Sequence, residues 1–487
     1  MKLFTSSEIR KQEKLLIDYG VSVDTLIERA GAGLSNRIKG RRVAVIIGGG
    51  NNGADGASLT LNLLDRGVDV DLYTVGTINS EYTKGSFVRL KTVGVLPRDW
   101  KECSDFSVYD CVVDCIFGIG LSREITGDYR DAILSINEQS RYIISADIPS
   151  GLSADNGKIM GVSVEADETV SFSGGKVGYF IGDGLDVTGD ITYVDTGIVG
   201  KDFEAELLED FVLPKRRRNT HKGSYGKVTI ISGCPKYVGA GILATRSAEA
   251  TLRAGAGLVK LCVPYSMRDV YGKHVLEATL DFLPDDDGWI AFDKNKLDEL
   301  IDGCDVIAIG MGLGKTDEVR KIVEYLLSNC TKPLVLDADA LNVLVGSVDI
   351  LKKGRRVVVT PHLGEFGRLI GKPISDIDFL DDAKRFARDY GVTLHLKGAT
   401  SITVNESGET YVTASGTPAL SKGGSGDVLA GIVSAFIAQG VTNPVATASI
   451  VHGEAGRLAS LKFGEYSTLS RDVVDKIAEA IKLHIDN

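Results

Sequence analysis

Short apolar runs alternate with helical patterns along the whole chain, and many of the runs end in glycine or in acidic residues. In the N-terminal part they lie at 43–47, 70–75, 111–116, 142–146 and 169–172. A continuous apolar run of this length is typical of a strand that is buried on both faces of a parallel sheet. The pattern predicts an α/β, Rossmann-like doubly wound domain.

The same alternation restarts after a charged segment at 211–219, which predicts domains at 1–211 and 212–487. The second set of strand candidates is 228–231, 258–263, 306–309, 334–336, 357–360, 393–396, 402–405 and 410–413. Ser407-Gly408 is a turn signal, so we expect the last two strands to form a hairpin. In 427–439, apolar residues recur at helical spacing: Val428, Leu429, Ile432, Val433, Phe436 and Ile437.

Two local patterns predict helical structure elsewhere. Thr5 and Glu8 have the spacing of a capping box, which predicts the start of a first helix. The charged stretch KDFEAELLEDF at 201–211 resembles a helix, and it is followed by the basic segment Lys215–Arg218. We interpret the basic segment as a solvated linker, with a supporting role near phosphates as the alternative.

Length and charge limit the classes of function. A chain of 487 residues exceeds one ordinary core, and a formal net charge of −11 argues against nucleic-acid binding. No apolar run approaches the roughly 20 residues that span a bilayer. The first residues lack the apolar core of a signal peptide, so we expect a cytoplasmic protein with neither nucleic-acid nor membrane partners.

The seven cysteines form no CxxC pair. We therefore expect buried free thiols, with a zinc or disulfide role as the alternative. The 57 glycines indicate many tight turns and close backbone approaches, which nucleotide sites require.

Three loops in the N-terminal half follow predicted strands and carry polar side chains. GGGNNGADG places Asn51 and Asn52 where a helix begins, and free N–H groups there can bind an anion. VVDCIFGIGL carries Asp114, and ADIPSGLSAD carries Asp147. Acidic groups at the carboxyl ends of parallel strands point into the ligand crevice, although each could instead cap a helix. Asn and Asp oxygens also suit a bound cation.

Gly423-Gly424-Ser425-Gly426-Asp427 precedes the helix predicted at 427–439. Its N–H groups and the helix dipole can stabilise negative charge on a transferring phosphoryl group. Asp427 is placed to accept the proton of an attacking hydroxyl, with helix capping as its alternative role. Other polar or glycine-rich strand ends carry Gly310, Gly312, Gly314, Asp337, Asp339, His362, Glu365 and Lys397.

The N-terminal motifs, with the leading GVSVDTLIERAG, resemble those of the NAD(P)H-hydrate epimerase family over 1–211. That family usually has Met at Ile27, Gly at Ala54 and Thr at Ile119. The resemblance implies Asp147 as a catalytic residue at the nicotinamide ring, and potassium on Asn52, Asp114 and Ser150. The implied substrate-binding residues are Asn51, Asn52, Gly53, Ala54, Asp55, Gly118, Ile119, Gly120, Leu121, Ser122, Arg123, Glu124 and Asp147.

GGSGD with an upstream Lys-Gly resembles the ribokinase-like family of small-molecule kinases. Within it, HKGSYGKV, GMGLG and PHLGEF are similar to motifs of the ADP- or ATP-dependent NAD(P)H-hydrate dehydratase. TPALSK stands where bacterial relatives commonly have Pro-Gly-Met-Ala-Thr. The implied hydrate-binding residues are Gly312, Pro361, His362, Leu363, Gly364, Glu365, Phe366, Gly367 and Asp427. The implied ADP-binding residues are Lys397, Gly398, Ala399, Thr400, Ser401, Thr417, Pro418, Ala419, Leu420, Ser421, Lys422, Gly423, Gly424, Ser425 and Gly426.

These resemblances imply repair of hydrated NADH and NADPH. The first domain would interconvert the R and S forms, and the second would dehydrate the S form with ADP and Mg²⁺, giving AMP and phosphate. One alternative is a kinase that makes a stable phosphorylated product. Another is a non-catalytic dinucleotide sensor or scaffold in the first domain, against which Asp114 and Asp147 argue. We also expect a homo-oligomer.

Overall fold

The chain folds into two compact units, Met1–Glu206 and Leu207–Asn487. The computed structural model describes residues 1–197 and 203–485. The sequence placed the boundary after Phe211. Leu208 donates a backbone hydrogen bond to Val412, and Phe211 belongs to the core of the second unit.

The first unit contains a parallel sheet with helices between its strands. The strands found in this part of the chain, not all of them in that sheet, are β1 (Lys2–Phe4), β2 (Arg42–Ile47), β3 (Asp69–Thr74), β4 (Arg98–Asp99), β5 (Cys111–Cys115), β6 (Ile143–Ala146), β7 (Glu168–Phe172), β8 (Gly175–Lys176), β9 (Asp190–Val194) and β10 (Ala205–Leu207). Its helices are α1 (Ser6–Asp18), α2 (Val23–Arg37), α3 (Asn52–Asp65), α4 (Glu81–Thr92), α5 (Asp128–Gln139) and α6 (Gly184–Val187). The predicted capping box opens α1, since Thr5 and Glu8 cap each other's backbone N–H groups.

The strand order of this sheet is β4-β3-β2-β5-β6-β7-β9, with all pairs parallel. Successive residues of β2 bury their side chains in different cores, Val43 and Val45 on one face and Ala44 and Ile46 on the other. Burial on both faces explains the continuous apolar runs. The chain reverses its direction of winding between β2 and β5, and ligands bind at such a reversal, outside the carboxyl ends of the strands.

The second unit contains a mainly parallel sheet. Its strands are β11 (Lys227–Ile231), β12 (Leu258–Pro264), β13 (Thr279–Leu283), β14 (Asp285–Asp286), β15 (Trp289–Ile290), β16 (Val306–Ile309), β17 (Leu334–Leu336), β18 (Val357–Val359), β19 (Thr393–Leu396), β20 (Ser401–Val404) and β21 (Thr410–Thr413). Its helices are α7 (Val238–Arg253), α8 (Arg268–Tyr271), α9 (Lys294–Asp302), α10 (Asp317–Asn329), α11 (Ala338–Asn342), α12 (Leu363–Ile370), α13 (Asp381–Tyr390), α14 (Ser425–Gln439), α15 (Pro444–Phe463) and α16 (Ser470–Ile485).

The strands of the second unit follow the order β13-β12-β11-β16-β17-β18-β19-β20-β21. Pairing is parallel up to β19, and β20 and β21 then form the predicted antiparallel hairpin. Gly408 has φ +89° at its turn, a conformation that favours glycine. The apolar stripe of α14 enters the core beside α7, α15 and α16, where Val428, Ile432 and Phe436 are buried. The predicted α/β class is thus confirmed in both units.

One predicted helix is wrong. Within 201–211, residues Ala205–Leu207 form β10, in which Ala205 and Leu207 are buried and Glu206 is half-buried. This two-residue alternation fits a short strand, which pairs antiparallel with β1, better than it fits a helix. Lys201 and Asp202 lie outside the described residues. The basic segment Lys215–Arg218 is exposed, as a solvated linker requires.

The described residues include all seven cysteines. All seven cysteines are free, six of them buried. In the described ranges, 1–197 and 203–485, no group of three or more His, Cys, Asp or Glu side chains is arranged to hold a metal ion. Among these residues no helix combines the length and the apolar character that crossing a bilayer requires.

Candidate active sites

A cavity of about 1090 Å³ opens at the carboxyl ends of β2, β5 and β6. The three polar loops that the sequence singled out meet there. The cavity is lined by these predicted residues: Asn51, Asn52, Asp55, Gly118, Ile119, Gly120, Leu121, Ser122, Arg123 and Asp147. Gly53, Ala54 and Glu124 are not among its lining residues; the first two are buried in α3, and Glu124 is exposed.

Asp147 is held in an unusual backbone conformation at the floor of this cavity. Its φ is +67°, a left-handed value that few residues other than glycine adopt. The Asp147 N–H donates to the carbonyl oxygen of Val170 at 2.8 Å, and the Tyr179 hydroxyl donates to the Asp147 carbonyl oxygen. Strain of this kind concentrates at functional sites, where surrounding contacts hold it in place.

The carboxylate of Asp147 is bound on one side only. Its Oδ1 accepts hydrogen bonds from the Lys176 ammonium at 2.6 Å and from the Phe172 N–H at 3.1 Å. Its Oδ2 forms no hydrogen bond within the described part of the chain. One oxygen is therefore fixed, and the other is available for proton exchange with a ligand.

Two further carboxyl groups line the cavity, Glu13 of α1 and Asp55 of α3. Burial raises the pKa of both, and the negative charge of Asp147 raises the pKa of each further. The site therefore places two carboxyl groups with raised pKa values near one that is paired with a cation. Such a contrast is typical of sites that transfer protons.

Asp114 lies beneath the same loops, and its side chain is fully buried. Its carboxylate accepts hydrogen bonds from the Ser150 hydroxyl at 2.6 Å, the Ser150 N–H at 2.8 Å and the Ser145 hydroxyl at 2.9 Å. Burial raises its pKa, and the hydrogen bonds from Ser150 oppose that shift. The Asn52 amide donates to the carbonyl oxygen of Phe117 at 3.1 Å, so the predicted cation ligands lie in one buried polar cluster.

In the second unit, Gly424 precedes α14 with φ +88°, and Ser425, Gly426 and Asp427 form its first turn. Free N–H groups in this turn are directed away from the helix and can bind an anion. The pKa of Asp427 is raised to about 7 because the carboxyl is buried and because the charge of Asp337 lies nearby; the charge of Lys397 opposes the shift. A base is most effective when its pKa lies near the working pH.

Asp337 and Lys397 form an ion pair beside this helix start. The Lys397 ammonium lies 2.6 Å from Asp337 Oδ1, which also accepts a hydrogen bond from the Thr360 hydroxyl at 2.9 Å. A Cβ added at Gly426 would lie 3.3 Å from the Lys397 ammonium. Glycine therefore lets the helix start approach the ion pair closely. The loops after β17, β18 and β19 thus converge on the start of α14.

The His362 imidazole caps α12. Its Nδ1 accepts hydrogen bonds from the N–H groups of Gly364 at 3.0 Å and Glu365 at 3.4 Å, and Glu365 accepts one from the His362 N–H. This arrangement corresponds to the structural alternative for His362, although its side chain remains 57% exposed and can still meet a ligand. Phe366 packs against Phe386 in the core, so only its backbone is available to a substrate.

Two predicted nucleotide segments lie side by side. A Cβ added at Gly416, the residue just before the second segment, would come within 2.1 Å of the Ala399 carbonyl oxygen in the first, so the two segments lie close together where the second begins. In the TPALSK segment, which differs from the stretch common in bacterial relatives, Ala419 is buried and Leu420 packs against Gly456 of α15. The Lys422 ammonium donates to the Tyr466 carbonyl oxygen at 2.5 Å. These three side chains are engaged within the protein, Ala419 and Leu420 by packing and Lys422 by a hydrogen bond, which leaves the backbone of the segment for ligand contacts.

Gly312 also lies where a loop must pass close to backbone. Its φ is +63°, and an added Cβ would come within 2.9 Å of the Gly241 nitrogen in α7. The loop after β16 is thereby held against the start of α7, on the same edge of the sheet as Asp427.

The sequence argument did not single out Lys176 or Glu13. Lys176 is fully buried, although lysine is almost never buried without a partner. The only local signal was a lysine within the glycine-rich run SGGKVGY that follows an apolar strand. Glu13 gave no signal, because its place at the cavity depends on how α1 packs.

Both units place glycine-rich turns and acidic side chains at the carboxyl ends of parallel strands. These features define a two-domain α/β enzyme that handles nucleotides. Comparison with family models supports a more specific assignment. Residues 228–479 match the model described as NAD(P)H-hydrate dehydratase, and residues 13–178 match the YjeF-related protein N-terminus.

Relatives cover nearly the whole chain. A bifunctional NAD(P)H-hydrate repair enzyme from Dictyoglomus turgidum is 34% identical over 99% of this chain and 98% of its own. One from Thermofilum pendens is 31% identical over 99% of this chain and 96% of its own. Among solved structures, a ribokinase-like superfamily protein from Enterococcus faecalis is 25% identical, with a TM-score of 0.50, and covers 56% of this chain and 93% of its own.

The chain belongs to the family of bifunctional NAD(P)H-hydrate repair enzymes, with an epimerase domain followed by a ribokinase-like dehydratase domain. Family membership favours the repair hypothesis over the kinase and scaffold alternatives.

Proposed function

We propose that the domain at 212–487 phosphorylates the C6 hydroxyl of the S hydrate with ADP as donor. The observation that carries this proposal is Asp427, a half-buried carboxyl in the first turn of α14 whose pKa is raised to about 7. The ionised carboxyl takes the hydroxyl proton as the hydroxyl oxygen attacks the β-phosphorus of ADP. AMP leaves, and the N–H groups at the helix start stabilise charge on the transferred group.

The phosphate ester is a means of removing the hydroxyl. The C6–O bond breaks with loss of phosphate, the ring-nitrogen electron pair assists, and a proton leaves C5. The sum is hydrate plus ADP giving NAD(P)H, AMP and phosphate. Hydroxide is a poor leaving group and phosphate a good one, which explains why a kinase-like site would serve a dehydration.

The proposed ligand sites follow the convergence of loops around α14. ADP lies along Lys397–Ser401 and Thr417–Gly426, and the hydrate lies against Gly312 and Pro361–Gly367. The close approach of Gly416 to Ala399 supports a single nucleotide site formed by both segments. When bound, Mg²⁺ neutralises charge on the donor's phosphates. Asp337, which pairs with the Lys397 ammonium at 2.6 Å, would be an acidic side chain of this unit able to hold the ion.

We further propose that the domain at 1–211 interconverts the R and S hydrates in its cavity, with Asp147 as the residue that exchanges a proton with the ligand. The free Oδ2 of Asp147 supports this role. The dinucleotide is held by the lining residues Asn51, Asn52, Asp55 and Gly118–Arg123. A volume of about 1090 Å³ exceeds the usual range for small-ligand sites, as an extended dinucleotide requires.

Potassium fits the buried cluster of Asn52, Asp114 and Ser150. The carboxylate of Asp114, the Ser150 hydroxyl and the Asn52 amide offer hard oxygen ligands. Among the described residues, the hydrogen-bond partners of the Asp114 carboxylate carry no positive charge that would balance it. When bound, the ion supplies positive charge beneath the loops that hold the dinucleotide. Asp114 and Ser150 meanwhile orient the loop that carries Asp147.

The dehydratase is tested by mixing the protein with the purified S hydrate, ADP and Mg²⁺ and following the absorbance band of NADH. We expect NADH to appear with AMP and phosphate. Asp427→Asn should abolish this activity, and Asp475→Asn, which changes an exposed carboxylate of the same unit, should not. If no NADH forms with either ADP or ATP, or if a stable phosphorylated product accumulates, the proposal is wrong.

The epimerase is tested separately with purified R hydrate and no ADP, so that the dehydratase stays silent. Chromatography then follows the approach to the R/S equilibrium. We expect Asp147→Ala to slow this to the spontaneous rate, and removal of potassium to lower it. Unchanged epimerisation by Asp147→Ala would contradict the catalytic role. The predicted homo-oligomer is tested by light scattering of the full chain.

A further inference from the structure

Lys176 carries its charge in a buried position, where a charge lowers the stability of the fold unless its partners compensate for it. Its side chain is fully buried, and it lies in the short strand β8, behind the floor of the first cavity. Replacing a buried ion pair by well-packed apolar residues is often neutral or stabilising. The need for packing alone therefore does not explain a lysine at this position.

All three ammonium hydrogens of Lys176 have acceptors. These are Asp147 Oδ1 at 2.6 Å, Ser171 Oγ at 2.9 Å and the Phe172 carbonyl oxygen at 3.0 Å. The Ser171 hydroxyl donates to the Gly174 carbonyl oxygen at 2.6 Å, so its oxygen is directed to accept from the ammonium. An amine surrounded only by acceptors is held as a charged, fixed ammonium group.

The ammonium is hydrogen-bonded to one carboxylate of the cavity, and its charge also opposes the rise in the pKa of Glu13. Asp147 is the only carboxylate to which Lys176 is hydrogen-bonded in the described part of the chain, and its side chain is 13% exposed where that of Lys176 is 0% exposed. The Phe172 N–H binds the same oxygen of Asp147, and Tyr179 binds the Asp147 carbonyl oxygen and contacts Ser171. One connected network thus fixes both the backbone and one carboxylate oxygen of Asp147.

We propose that Lys176 is a positioning residue for the epimerase reaction: it binds Asp147 Oδ1 so that the carboxyl group is fixed and presents Oδ2 to the ligand. This inference rests on the role proposed above for Asp147. Lys176 does not touch the ligand, since it lines no part of the cavity. Its effect therefore falls on the rate of proton exchange and leaves ligand binding unchanged.

The experiment compares Lys176→Met, Asp147→Asn and the double variant in the assay with R hydrate and no ADP. We expect Lys176→Met to lower the epimerase kcat by about 100-fold, the scale of a lost acid–base group, with KM changed less than about twofold. The double variant should be no slower than Asp147→Asn alone, because both changes remove one function. Ethylammonium should restore part of the activity of Lys176→Met and none of that of the double variant.

Two controls separate this role from a structural one. Lys101→Met makes the same change at an exposed lysine of the same unit, where Lys101 pairs with Asp128, and should leave kcat unchanged. Ser171→Ala keeps both charges and removes one acceptor of the ammonium, and should lower kcat several-fold at constant KM. It provides the test if Lys176→Met does not fold, and full activity of Ser171→Ala would then refute the proposal.

The remaining outcomes are equally decisive. The inference is wrong if Lys176→Met keeps its kcat while Asp147→Asn is inactive, if only KM changes, or if the two losses multiply in the double variant. If Asp147→Asn itself epimerises normally, the proposed function of Asp147 fails first. The ADP-dependent rate on S hydrate should stay unchanged in every variant, because the second unit carries that activity.

Discussion

The raised pKa of Asp427 has a consequence for stability. The carboxyl has an ordinary value of 3.8 in the unfolded chain and a value of about 7 in the folded protein. Between these two values the folded state binds more protons than the unfolded state, so stability falls as pH rises and the loss is complete above about pH 7. The difference corresponds to at most about 4 kcal/mol, and partial exposure of the carboxyl reduces it through solvent screening.

Asp427→Asn removes this ionisation and keeps the size of the side chain. We expect the variant to be more stable than the original protein at about pH 9, by up to about 4 kcal/mol, by less than half as much at about pH 5, and nearly equal to it at about pH 3. Hydrogen exchange of α14 peptides measures the opening free energy of this unit in the full chain, with Asp475→Asn as the control. A stability gain that does not depend on pH, or a less stable variant at high pH, would refute the reasoning.

Three further predictions concern the second site. The dehydratase kcat/KM should rise with pH and level off above about pH 7. Lys397→Met should move the rising part of this pH profile to higher pH, because the lysine charge lowers the pKa of Asp427. A flat profile would contradict the role of Asp427 as the base. Gly426→Ala places a Cβ 3.3 Å from the Lys397 ammonium, so we expect a kcat loss of about tenfold, about 1.4 kcal/mol of barrier, with little change in urea stability. His362→Ala should destabilise the unit by about 1 kcal/mol in urea unfolding, and His362→Asn should recover most of this loss if capping is the role of the imidazole.

The sequence predicted the strands well because the sheets are covered on both faces. The thirteen strand candidates agree with the structure to within one residue at either end. The segment 201–211 was misassigned because three alternating residues leave too short a pattern to distinguish from a charged helix. A strand as short as β10 depends on its partner for its conformation, which a local pattern does not contain.

The loops of the two sites were predicted for a related reason. In a parallel sheet, all strand ends meet at one edge, so any polar residue that follows a strand has a known place. Lys176 and Glu13 reach the first cavity through contacts between distant segments, and local patterns do not reveal such contacts. The sequence also did not predict the orientation of individual side chains. Phe366, for example, packs inward against Phe386. The assignment of each residue to a ligand remains a prediction.

The free cysteines make the chain its own probe of local opening. Cys111, Cys262 and Cys304 are buried, and burial raises the pKa of each thiol to about 12. Since alkylating reagents attack the thiolate, these groups stay unreactive until the surrounding structure opens. Cys111 lies in the first unit and the other two lie in the second. Mass-spectrometric mapping of alkylated cysteines therefore identifies which unit a substitution has loosened, and separates loss of chemistry from loss of folding without an added label.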